Sequence, residues 1–461
     1  MTMAAACLPF VAALCLARIL TRDRCAWGVA LPVAIGVTAG ASSVMFWLLL
    51  IAPIESRAHL VAIDAIGWMG VTTILAWRTF ARDASFSADR TAASVSASDA
   101  RRVPVDVWLA AGLALAFAGV AVVRVAASAA TLPHGEWDAW AMWNARARAI
   151  AIGYPSAWHA AVRAMPHPDY PLLVPVFIAR LWIELGRDTV AVPMATAAAF
   201  GAATVIVAAC SVGQRHGAAR GWLTAAILLA SPTFLTVVVS QYADVPLAFY
   251  WLAAFVACDQ AMRSRRSIWW AMAGATLALA AWTKNEGIAM LALAGVTMGV
   301  YAIGSRAPGR AARVTWLVAG ALPAIVAVAS FRYLMPGPSY LFSHLSLADV
   351  IARVRSLARW RTVAAAMGRE IWLGGATYIG ILPLTVVIAI TLGHPRHWPR
   401  AAVAAVICTA GMLAVDASVY LLLSPNLVWH LSTSVDRVIV QLTPAIVWAL
   451  LMLAGRSGDL D

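Results

Sequence analysis

Apolar residues recur in runs of about 20 along almost the whole chain, separated by short polar stretches. A helix of that length matches the hydrocarbon core of a bilayer. The runs lack the period-two alternation of a membrane barrel. The pattern predicts membrane-crossing helices at 3–20, 28–51, 59–77, 105–130, 190–212, 221–239, 245–261, 268–282, 288–303, 314–331, 371–392, 401–423 and 438–454. This is an all-α, polytopic membrane protein of about thirteen transmembrane helices, with amphipathic interfacial helices in its outer loops.

Charge assigns the sides. Arginines cluster at Arg18/Arg22/Arg24, Arg78/Arg82, Arg101/Arg102, Arg215/Arg220, Arg263/Arg265/Arg266, Arg306/Arg310/Arg313 and Arg396/Arg400. Short loops rich in Lys and Arg stay cytoplasmic. Every cluster falls inside if the apolar segment 172–186 does not cross. That segment is short and carries Arg180 and Glu184, so it reads as a helix lying at the outer interface or dipping in and back. The organisation that follows is a three-span unit at 1–80, a Ser/Ala-rich flexible cytoplasmic linker at 81–104 and a membrane body at 105–455. The body has long outer loops at 131–189 and 332–370. In the second loop, Val350, Val354, Leu357 and Trp360 oppose Arg353, Arg355, Arg359, Arg361 and Arg369, as in a helix lying on the membrane surface.

Composition agrees with the pattern. Hydrophobic residues make up 62% of the chain and charged ones 12%, against about 25% charged in soluble domains. The net charge of +13 is accounted for by cytoplasmic loops, not by nucleic acid as a partner. The six cysteines show no CxxC or metal-ligand spacing and read as inert helix residues.

So apolar a chain has few places for aqueous chemistry, and 132–171 is the best of them. It holds Glu136 and Asp138, with Asp138 open to two readings, a general base or a helix N-cap. It ends in His167-Pro-Asp169-Tyr170-Pro, where the prolines also permit a merely rigid turn. Further along, Asp244 stands at the mouth of a span and Lys284 and Glu286 share a short loop. Lys284 is the only lysine in the sequence. His430 and Arg437 precede the last span, where Arg437 also suits a snorkelling anchor. Asp64 and Asp416 lie inside spans, where acids mark function or helix packing.

Three motifs carry a resemblance: the acidic first loop ending in the His167–Pro171 turn, Ala-Asp-Val-Pro-Leu-Ala-Phe-Tyr at 243–250, and Thr-Lys-Asn-Glu-Gly at 283–287. Over 105–455 the chain resembles the GT-C superfamily of integral-membrane glycosyltransferases, and within it the bacterial protein-mannosyltransferase and aminoarabinose-transferase families. The resemblance implies inverting transfer of a sugar from a polyprenyl-phosphate donor to a glycan, lipid or protein acceptor. It implies a bacterial inner membrane with the active site facing outward. Asp138 would be the base, with Glu136 as its rival. Lys284 and Arg437 would bind phosphate, and Asp244, Glu286, His167, Asp169, Tyr170 and His430 would shape the substrate sites. Asp138, Asp244 and Glu286 are hard oxygen ligands, so a divalent metal is left open. A transporter or lipid flippase, using Asp64 or Asp416, and an O-antigen ligase or polymerase are the competing readings.

Overall fold

The computed structural model describes residues 2–21, 25–87, 103–264, 266–304, 309–339, 345–393 and 397–455. Residues 88–102, most of the expected linker, lie outside the described residues, as do Arg22, Arg24, Arg101, Arg102, Arg265, Arg306 and Arg396. The described residues are helical and contain no strand.

In chain order the helices are α1 (Thr2–Leu20), α2 (Trp27–Leu50), α3 (Arg57–Ser87), α4 (Val105–Thr131), α5 (Asn144–Gly153), α6 (Trp158–Arg163), α7 (Leu173–Leu185), α8 (Ala191–His216), α9 (Ala218–Leu229) and α10 (Pro232–Val239). They continue as α11 (Asp244–Ser264), α12 (Ser267–Thr283), α13 (Asn285–Gly304), α14 (Arg310–Leu334), α15 (Leu347–Arg355), α16 (Leu357–Leu373), α17 (Ile381–Leu392), α18 (Arg400–Ser418) and α19 (Leu427–Leu453). Wider, π-helical turns at Ala139–Trp143 and Val419–Leu423 lead into α5 and extend α18.

Ten of these helices are long and apolar enough to cross a membrane, or eleven if α9 and α10, bent by 67°, form one broken span. The expected count of about thirteen also included 268–282 and 371–392. The first is α12, 17 residues long and buried almost throughout. The second is interrupted: α16 ends at Leu373, Gly374 and Gly375 adopt positive φ, and the 12-residue α17 begins only at Ile381.

α11 is the central helix, buried from Asp244 to Ala261. α2, from the expected N-terminal unit, runs directly against it. The Tyr250 hydroxyl donates to the Gly36 carbonyl at 2.8 Å, and Trp282 Nε1 donates to Ser43 Oγ at 3.0 Å. Trp47, Trp158, Trp282 and Phe331 pack edge-on or tilted around the same crossing, with centroids 5.6–6.0 Å apart. α12 and α14 cross so closely that Gly274 and Gly320 touch backbone of the partner helix, the packing that small residues permit between membrane helices. α3 and α4 keep most of their apolar surface exposed, as lipid-facing helices do.

α7 sits inside the bundle and not along its surface. All but a few of its residues are buried, including Arg180 and Glu184. Arg180 donates to Asp64 Oδ2 from Nε at 2.9 Å and from Nη2 at 2.7 Å, and lies 3.0 Å from Glu184. The charges that argued for an interfacial helix are therefore paired internally, which is what a low-dielectric interior requires. The segment is therefore packed within the bundle and does not lie along its outside.

Candidate active site

The site assembles where α11 starts. α11 runs away for 21 residues and α12 returns over 17. Asp244, the first residue of α11, therefore ends beside Lys284, which follows α12. Lys284 Nζ lies 2.9 Å from Asp244 Oδ1 and 3.0 Å from Glu286 Oε1. Gln441 of α19 donates to the same Asp244 oxygen at 2.6 Å. Burial works against the lysine charge, but the Asp244 and Glu286 carboxylates outweigh it and hold the ammonium well above the usual lysine range. Its Nζ also stands 5.7 Å from the centroid of Tyr170, whose hydroxyl is pushed up chiefly by burial.

The first loop reaches this cluster through Asp138. Its carboxylate accepts a hydrogen bond from Arg437 Nη1 and does not cap the turn that follows it. Arg437 lies 4.9 Å from the Tyr242 ring centroid, a cation–π arrangement, and within electrostatic reach of Asp244. Burial, with Asp138 close by, pushes the Tyr242 hydroxyl up to about 12. The loop is fixed by the 240–243 turn. Asn144 Nδ2 donates to Gln241 Oε1 at 2.9 Å, Gln241 Nε2 to the Pro133 carbonyl at 3.2 Å, and the Glu136 amide to the Ser240 carbonyl at 3.2 Å. The Glu136 side chain itself is exposed and lies within electrostatic reach of Tyr242.

Arg146 of α5 shapes the turn before α7. It is fully buried and donates to the carbonyls of Pro166 (2.6 Å), His167 and Tyr170 (3.5 Å). Burial lowers its pKa to about 10, still charged at neutral pH. The turn carries His167 at φ 53 and presents Asp169 Oδ2 to Asn285 Nδ2 at 2.8 Å, and Arg332 donates to Asn285 Oδ1. Burial depresses the His167 imidazole despite the nearby Asp169 carboxylate, so it is neutral at pH 7. His430 packs its ring 4.9 Å from Tyr420 and lies within electrostatic reach of Arg437, His167 and Glu286.

Asp138, His167, Asp169, Tyr170, Asp244, Lys284, Glu286, His430 and Arg437 thus surround one region, with the exposed Glu136 at its edge near Tyr242. The carboxylates do not form a metal cage: among the described residues no group of three His, Cys, Asp or Glu has metal-binding geometry. The cation between Asp244 and Glu286 is the Lys284 ammonium. What the arrangement can do is hold anionic phosphate on Lys284 and Arg437 while a carboxylate accepts a proton nearby.

Residues 167–333 match the family model described as dolichyl-phosphate-mannose-protein mannosyltransferase. The match supports a GT-C-type, mannosyltransferase-like protein. It covers the His167–Pro171 turn, Asp244, Lys284 and Glu286, but stops short of Asp138, His430 and Arg437. No curated protein and no solved structure matches the chain.

Several participants were not singled out in the sequence. Asn285 lies inside the 283–287 motif, flanked by charges that drew attention first. Gln441 carried a signal, since it is a lone amide in the apolar run of α19. Nothing in the sequence separates buried Arg146 from its exposed neighbour Arg148. Arg359, read from the sequence as the polar face of a surface helix, instead donates to the carbonyls of Tyr420 (2.7 Å), Leu421 (2.6 Å) and Ser424 at the end of the α18 extension.

Proposed function

We propose that the protein is an inverting glycosyltransferase that moves a sugar from a polyprenyl-phosphate donor to an acceptor hydroxyl at the extracytoplasmic face of a bacterial inner membrane. The observation that carries this reading is the pair of neighbouring ion-pair groups, Asp138–Arg437 and Asp244–Lys284–Glu286, with Arg437 within electrostatic reach of Asp244. It joins one half-exposed carboxylate to two cations set against further acids.

The acceptor oxygen attacks the anomeric carbon from the face opposite the phosphate. Its proton passes to the Asp138 carboxylate as the bond forms. The anomeric carbon–oxygen bond breaks with its electron pair going to the phosphate, and Lys284 and Arg437 stabilise the charge that develops there. Arg437 has two partners in this scheme. While it holds Asp138, it occupies the carboxylate; donor phosphate competes for the guanidinium and frees it. Asp169, His167 and Tyr170 form the wall that orients the reacting groups. No step is routed through a metal.

The test is release of labelled sugar from a panel of polyprenyl-phosphate sugars by the full-length protein in proteoliposomes, with membranes of the host as acceptor source. Transfer of at least one sugar supports the reading. Movement of intact lipid-linked sugar across the bilayer without cleavage would replace it with the flippase reading.

A further inference from the structure

Asp416 lies two residues before the end of α18 and belongs to none of the roles above. It is 5% exposed, and its Oδ2 meets no donor among the described residues. The charges within electrostatic reach of it are Glu286 and Lys284, and it sits one helical turn before Tyr420, whose ring packs on His430. Lys284 is already shared by Asp244 and Glu286 and gives Asp416 no partner of its own. Glu286 Oε2 is likewise buried without a donor, and so is His430 Nδ1. Tyr420, one turn beyond Asp416, holds the His430 side of this corner through Ser434 at 2.8 Å. The backbone beyond Asp416 is immobilised by Arg359 and by Arg353, which donates to Leu422 at 2.7 Å.

Buried carboxylate oxygens without donors are costly and are normally satisfied by something. Two acidic oxygens and an imidazole nitrogen facing one corner call for a ligand rich in hydrogen-bond donors. A phosphate and an isoprenoid chain have none to give, whereas a sugar ring offers several hydroxyls. The three residues come from three different helices, Glu286 from α13, Asp416 from α18 and His430 from α19.

We propose that Glu286, Asp416 and His430 form a subsite for the hydroxyls of the donor's sugar, with Asp416 a residue that determines which sugar is accepted. This rests on the glycosyltransferase reading above.

The experiment measures binding of full-length protein in nanodiscs to bare polyprenyl phosphate and to polyprenyl-phosphate mannose, glucose and galactose. The wild type is expected to prefer at least one sugar-bearing lipid. Asp416→Asn puts a donating amide where Oδ2 accepts and should cut that preference about tenfold. It should leave affinity for bare polyprenyl phosphate unchanged. Asp416→Ser is the second variant if Asn does not fold. Equal loss for bare and sugar-bearing lipids, or no loss at all, overturns the subsite. So does a wild type that binds bare polyprenyl phosphate but prefers no sugar in the panel. A wild type that does not bind bare polyprenyl phosphate brings down the glycosyltransferase reading itself, and the subsite with it.

Discussion

Asp138 and Arg437 are 299 positions apart in the chain and form a salt bridge between the first loop and the last helix. This contact ties the two ends of the membrane body across a site whose other charges come from α11 and the α12–α13 loop.

Asp138→Asn keeps the shape and removes the base. Transfer should fall by two to four orders of magnitude, with an unchanged gel-filtration profile in detergent. If Glu136→Gln is the inactive variant and Asp138→Asn is near normal, the base is Glu136.

Lys284→Met leaves Asp244 and Glu286 facing each other without a cation. Breaking a buried pair in this way costs about 3–5 kcal/mol, read as a lower Tm. Adding Asp244→Asn and Glu286→Gln should restore much of it, but not activity. The Lys284 pKa is raised in the fold. Its stabilisation is therefore complete below the ordinary lysine value of about 10.4 and is lost only as pH climbs through the folded value. Between pH 6 and 9 this pair should contribute no pH dependence to Tm.

His167 gives the opposite window. Its folded pKa is depressed by burial, so below its ordinary value of about 6.5 the unfolded chain binds the proton first. Stability should fall as pH drops from 7 toward 5. His167→Asn, which tolerates the positive φ at this turn, should flatten that part of the Tm profile.

Arg146→Met removes the donor to three carbonyls of the turn. The His167 carbonyl keeps the Tyr170 amide at 3.1 Å, but the Pro166 and Tyr170 carbonyls lose their arginine donor, at about 1–3 kcal/mol each. Arg146→Lys should recover part of the stability, because one ammonium cannot match the planar fork. Thermal unfolding of both variants checks the order.

Gly320→Ala places a methyl 2.0 Å from the Ala271 carbonyl oxygen, and Gly274→Ala places one 1.9 Å from that of Leu317. Neither neighbour can rotate away, so α12 and α14 must separate. Each change should cost at least about 1–3 kcal/mol. Gly299→Ala, which meets open space, is the control and should be neutral or slightly stabilising.

The long spans were readable because a 20-residue apolar run has one physical solution in a bilayer. α17 was not, since the interruption at Gly374 and Gly375 lies within a sequence whose hydropathy stays high. α7 was half readable: its charges marked it as unusual, but its partner Asp64 is 116 positions away and only the fold brings them together. In the site, Asp138, Asp244, Lys284 and Glu286 stood out as charges in an apolar chain. Arg146 and Gln441 act through carbonyls and a carboxylate that no spacing rule connects to them.

The ion pairs around Lys284 have a practical side. It is the only lysine in the sequence, and acylating reagents attack amines in their unprotonated form. An ammonium held by Asp244 and Glu286 resists them, so the resting protein should stay unmodified at this side chain. Any molecule that draws those carboxylates aside exposes the one lysine amine, and a mass shift on the Lys284 peptide, distinct from that of the N-terminal peptide, then reports occupancy without a label being engineered.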